Sequence, residues 1–104
     1  MELNKIEKQI LTDIYDVDLS LGMPFEIQNY ILTESDPKEK KQEFAYYLAR
    51  LKELGFIKYE EAEAFINSGI HSIKYNNNVD VIYGDKIHID SKGIKLVEEM
   101  FTVH

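Results

Sequence analysis

Cysteine and tryptophan are absent from this chain of 104 residues, and proline and glycine are scarce at two and five. Without cysteine there is no disulfide framework, no thiolate nucleophile and no cysteine-ligated zinc. A reducing compartment suits such a chain, and a cytoplasmic location is the expectation. No apolar stretch approaches the about 18 residues of a bilayer crossing. No apolar signal-peptide core follows the first methionine either, so neither a secretory signal nor a membrane partner is expected. Repeats, low-complexity tracts and linkers are also missing, which leaves one domain over residues 1–104.

Positive charge is the remaining scarcity. Twelve Lys and Arg face nineteen Asp and Glu, for a net charge of −7 and a pI near 4.9. A non-specific nucleic-acid binder is usually basic, because releasing phosphate counterions supplies most of its affinity. The distribution qualifies the sum. Residues 1–22 carry two basic and five acidic groups, residues 23–60 six and seven, and residues 61–104 four and seven. Half of the basic residues therefore sit in the middle third, where an anion-binding surface belongs.

What the chain does have is periodicity. Leu3, Ile6, Ile10, Ile14 and Val17 recur at helical spacing, widened by Leu11 and Tyr15, and predict a first helix whose apolar stripe faces a core. Asn4 followed by Glu7 fits a capping box at its start, and the helix should fade into residues 18–22. Pro24 suits the first position of a short second helix with Phe25, Ile27, Ile31 and Leu32 on its apolar side. Asp36-Pro37-Lys38-Glu39 starts a third helix, over about 37–54, with Asp36 as cap and Glu39 reaching back. Phe44, Tyr47, Leu48, Leu51 and Leu54 form its buried stripe, and Gly55 ends it in the left-handed conformation.

Beyond Gly55 the period shortens. Residues 56–59 predict a strand. Residues 61–70 either extend it or make one helical turn before Asn67-Ser68-Gly69. Ile73 and Tyr75 alternate with polar neighbours ahead of a turn at Asn76-Asn77-Asn78. Val79, Val81 and Tyr83 then pair across a two-residue Gly84-Asp85 turn with Ile87 and Ile89, leaving His88 toward solvent. Asp90 or Ser91 caps a last helix with Ile94, Val97 and Phe101 on one face and Leu96 and Met100 beside it.

Catalytic patterns are missing. The serines at 20, 35, 68, 72 and 91 stand in no nucleophile motif, and no glycine-rich phosphate loop is present. His71, His88 and His104 lack an i, i+4 metal spacing. The expectation is a non-enzyme with no cofactor and no metal.

Three helices, then strands and a hairpin, then a helix is the order of an α+β winged helix-turn-helix, with three N-terminal helices, a β-hairpin wing and a C-terminal helix. The segment Leu48-Ala49-Arg50-Leu51-Lys52-Glu53-Leu54-Gly55-Phe56-Ile57 resembles the passage from recognition helix to first strand in winged-helix regulators. Ile87-His88-Ile89-Asp90-Ser91-Lys92-Gly93-Ile94 resembles the strand, cap and Lys-Gly helix start that follows the wing in small bacterial members. Over nearly its whole length the chain is similar to small YjcQ-like winged-helix proteins, and more distantly to PadR- and MarR-like repressors. Residues 60–72 depart from that pattern by their length.

The resemblance implies a transcriptional regulator that lays its third helix in the major groove of double-stranded DNA. Lys38 and Lys41 would then meet phosphates, Gln42 a base edge, Tyr46 a methyl group or phosphate, and Arg50 would flank them. Lys74 and Asn77 at the wing tip would approach the minor groove, although Arg-poor wings are uncommon there. Leu96, Met100 and Phe101 would form a homodimer through the last helix. A second function fits the same fold: an acidic protein-interaction module that binds a basic protein partner or mimics DNA, as some small phage-encoded inhibitors do.

Overall fold

Glu7 organises the first helix in a way its charge does not announce. The computed structural model describes residues 3–21, 23, 25–30, 37–60 and 64–102. Helix α1 spans Lys5–Asp16, and the capping box at its start is complete. Asn4 Oδ1 accepts from the Glu7 amide at 2.7 Å, and Glu7 Oε1 accepts from the Asn4 amide at 2.9 Å. That hold turns Glu7 inward, where it is fully buried beside Leu3, Ile10, Leu11 and Ile14. Ile6, expected in the core stripe, is instead 42% exposed. The phase of the buried face follows the cap rather than the count of apolar residues. The helix runs on through a π-helical turn at Val17–Leu21, where a fade-out was expected.

Residues Ile27–Tyr30 form a 3-10 turn in the place of the expected second helix. Pro24, Ile31, Leu32 and the expected cap Asp36 lie outside the described residues. The Tyr30 ring packs on Phe44 with centroids 4.6 Å apart, which ties this turn to the long helix α2, Pro37–Glu53. Phe44, Leu48 and Leu51 of α2 are buried, with Tyr47 and Leu54 partly so. Gly55 ends the helix at φ 87°. The amides of Gly55 and Phe56 donate to the carbonyls of Lys52 and Leu51, each at 3.0 Å, which is the double closure of a glycine-capped helix.

The chain then makes one long antiparallel arm. Strand β1 (Ile57–Tyr59) pairs with β4 (Ile87–Ile89), and β2 (Phe65–Ile66) pairs with β3 (Val81–Ile82). Backbone bonds from Glu60 to Lys86, Tyr83 to Ala64, Asp80 to Ile66, Gly69 to Asn78 and Ser72 to Asn77 continue the ladder outward. Asn76, at φ 53°, turns the tip.

The expected tight hairpin across Gly84-Asp85 does not form. Residues Gly84–Lys86 make a 3-10 turn, and the strands on its two sides pair with different partners. Core burial decides this, because pairing β4 with β1 buries Ile57, Ile87 and Ile89 together. Glycine is needed at 84 for another reason: a Cβ there would stand 1.9 Å from the Phe25 carbonyl oxygen.

Helix α3 (Ser91–Thr102) closes the core with Val97. Ile94, Leu96 and Met100 pack on it, whereas Phe101, grouped with Ile94 and Val97 by spacing and with Leu96 and Met100 as a dimer surface, is 60% exposed. The start of α3 and the end of α2 are clamped together. The Asp90 amide donates to the Phe56 carbonyl at 2.9 Å, and Lys92 Nζ donates to the Leu54 carbonyl at 2.8 Å. A Cβ on Gly93 would meet the Phe56 carbonyl oxygen at 2.1 Å. The described part of the chain is therefore mixed α+β, with three α-helices and a paired β-arm.

Gly93→Ala should lower stability by about 1–3 kcal/mol, the usual cost of overpacking against an unyielding neighbour, and should show as a lower urea midpoint. Arg50 Nη1 donates to Glu7 Oε1. Arg50→Met should lower that midpoint more than the double change Glu7→Gln/Arg50→Met, because the single change strands a buried carboxylate.

Candidate functional site

Helix α2 brings the proposed reading residues to one side of the molecule, and the outer half of the β-arm lies across that side. We call residues 67–80 the strap. Gln42, expected to read a base edge, is 8% exposed. Its Nε2 donates to the Ile70 carbonyl at 2.6 Å, and its own carbonyl accepts from Asn77 Nδ2 at 3.0 Å. Lys41 Nζ donates to the Asp80 carbonyl at 3.3 Å. The Tyr46 and Tyr75 rings approach to 6.1 Å between centroids. Val79, on the strap, is buried. A buried amide side chain needs hydrogen-bond partners inside the protein; the Ile70 carbonyl takes the Gln42 side-chain amide, and the Asn77 side chain takes the Gln42 main-chain carbonyl.

The expected site residues therefore divide. Lys38 and Tyr46 are exposed on α2. Lys41 and Gln42 are engaged with the strap. Arg50 is held by Glu7, whose second oxygen Oε2 is buried with no hydrogen-bond partner among the described residues. The hydrogen bond to Glu7 is the main reason the guanidinium pKa lies above its ordinary value. Lys74 is exposed at the strap's tip, its ammonium 5.3 Å from the Tyr75 ring centre. Asn77 faces inward and serves the strap and α2, donating also to the Tyr75 carbonyl at 3.3 Å. The two wing residues are thus not equivalent: one points to solvent and one is structural.

A groove of about 710 Å3 remains between α2 and the strap. Ala45, Ala49 and Leu54 contribute from the helix, and Phe65, Tyr75 and Val79 from the arm. On the strap, Ile70 and Ile73 are 80% and 93% exposed. On α2 the Tyr47 hydroxyl has its pKa pushed up to about 12, first by burial and then by Glu43, whose carboxylate accepts its hydrogen bond at 3.0 Å.

A second cluster stands at the base of the arm. His88, expected to face solvent, is held between two carboxylates: Nδ1 lies 3.1 Å from Asp18 Oδ1 and Nε2 lies 3.2 Å from Glu60 Oε2. The π-helical turn places Asp18 there, and its other oxygen accepts the Ile89 amide at 2.6 Å. Lys58 is the register partner of His88 on β1. Burial acts to lower the imidazole pKa, but the hydrogen bonds to Asp18 and Glu60 outweigh it, and the net shift is upward. The glycine-free run around His88 gave no sign of this, since Asp18 and Glu60 are 70 and 28 residues away. Among the described residues, no group of three His, Asp or Glu side chains is placed to hold a metal ion. Nor is any helix among them long and apolar enough to cross a membrane. His104 lies outside the described residues.

Compared with protein-family models, curated proteins and solved structures, the chain finds no match in any of the three.

The protonated form of His88 is favoured by folding, so its contribution is fully present below its unfolded value near 6.5 and is lost as pH rises through the higher folded value. Chemical denaturation across that window should show stability falling with rising pH, and His88→Gln should flatten the slope. Amide exchange should also show the Ile70–Asn77 segment exchanging faster in Gln42→Ala than in the parent, while β1 and β4 stay protected.

Proposed function

We propose that this chain is an acidic protein-interaction module built on a winged-helix-like arrangement, and that it does not work by laying α2 openly in a major groove. The observation that carries this reading is Gln42, buried and donating to the Ile70 carbonyl of the chain's own strap. A recognition helix reads bases with side chains that reach out of the protein. Here the central one is turned into an internal contact, and its neighbours Lys41 and Arg50 are engaged by Asp80 and Glu7. The net charge of −7 favours a basic partner over a polyanion. The exposed Ile70 and Ile73 provide apolar contact area of the kind that partner surfaces use.

The winged-helix part of the proposal rests on the element order and on the two resembling segments. They meet in space, joined by the β1–β4 ladder, the Lys92 contact to Leu54 and the close seat of Gly93 on Phe56. No reaction is part of the proposal. A homodimer through α3 draws support from the exposed Phe101, whereas Leu96 and Met100 give part of their surface to the core.

Binding of double-stranded DNA, the first expectation from the sequence, is kept as a second reading on one observation: Lys38, Lys40 and Lys41 cluster at the positive end of the α2 dipole. Lys40 lies 3.4 Å from Glu43, and Gln42 could reach a base only if the strap lifted. A mixed-sequence duplex titrated at low salt separates the two. The interaction-module reading expects no binding that falls with log salt and no effect of Lys38→Glu/Lys41→Glu. A DNA reader expects a slope of about −0.9 per phosphate contact and loss of binding in the double variant.

A further inference from the structure

We propose that the groove between α2 and the strap seats a short cationic peptide segment of a partner protein, with an apolar anchor on the groove floor and a basic side chain at Glu53. The proposal deepens the interaction-module reading and rests on it.

The shape comes first. Ala45 and Ala49 stand one turn apart on α2, so the helix surface recedes where longer side chains would fill it. Phe65 and Tyr75 wall the opposite side, and the volume of about 710 Å3 is that of a ligand cleft rather than a packing defect. Polar groups suited to a peptide backbone line the same space. The side-chain amides of Asn67 and Asn76 make no hydrogen bond among the described residues, and both border the groove.

Charge then selects the occupant. Two charged side chains line the groove, Arg50 and Glu53. The Arg50 charge is answered by the buried Glu7. Glu53 is exposed and has no ion pair among the described residues. Lys52, the nearest base in sequence, places its ammonium 4.9 Å from the centre of the Tyr59 ring. With Arg50 paired to Glu7, Glu53 is the charge at the groove left for a partner to answer, in a chain of −7. Tyr46, half-exposed at its edge, offers an aromatic face to a guanidinium or ammonium. An acidic segment or a phosphate chain would be repelled.

The test titrates the full isotope-labelled chain with three synthetic peptides and follows amide shifts. The peptides are an alternating leucine–arginine sequence, its leucine–glutamate counterpart, and an arginine–serine sequence with no apolar anchor. The expected result is saturable binding of the first alone, with shifts at Ala45, Tyr46, Ala49 and Glu53 and at the side-chain amides of Asn67 and Asn76. Glu53→Lys and Ala49→Trp, both at exposed positions, should each weaken it about tenfold or more. Absence of binding overturns the proposal, as does equal binding of the arginine–serine peptide. Shifts mapping to α1 and α3 with no effect of Glu53→Lys would remove the groove while leaving the interaction-module reading standing. Binding of the mixed-sequence duplex through α2 would remove that reading itself.

Discussion

A buried carboxylate holds this structure in phase. Glu7 closes the cap of its own helix, enters the core, and takes Arg50 from the last turn of α2. Burying one charge is costly unless another answers it, so the rotation of α2 about its axis is not free. With Arg50 turned toward α1, Phe44, Leu48 and Leu51 face the core. Tyr46, Ala49 and Glu53 then look outward. The pair decides which surface α2 can offer before any partner is considered.

The outward surface is shared with the chain's own arm. A free hairpin tip would leave backbone groups to water and Gln42 to solvent. Packed across α2, the strap exchanges these for bonds between Gln42, Ile70 and Asn77, and it buries Val79. The contact is more polar than the core beneath it, and Ile70 and Ile73 stay outside it. An arm tip held this way leaves a groove at its margin instead of sealing the helix, which is why shape, polar amides and a lone carboxylate coincide there.

The base of the arm is fixed by a different balance. Asp18 reaches β4 because the helix end widens into a π turn, and it binds the Ile89 amide and His88 together. Glu60 completes the bracket from β1's end. The α2–α3 clamp at Gly93 stands at one end of the β1–β4 ladder, and the bracket crosses its middle at His88. They hold rigidly the part of the arm from which the strap extends.

Much of this was legible in residues close together in the chain. The Asn4–Glu7 box, the Gly55 stop, the core stripe of α2 and the helix after Asp90 are local patterns, because caps and helical spacing act over three or four residues. The turn near Asn76 was legible for the same reason. Long-range pairing was not. Periodicity alone cannot say that Ile87 and Ile89 pair with β1 instead of β3, since both choices keep the alternation. Nor can it say that Gln42 is an internal ligand, that Arg50 belongs to Glu7 or that His88 sits between carboxylates. Those outcomes were decided by the tertiary structure, where each buried polar group had to find a partner from a segment dozens of residues away.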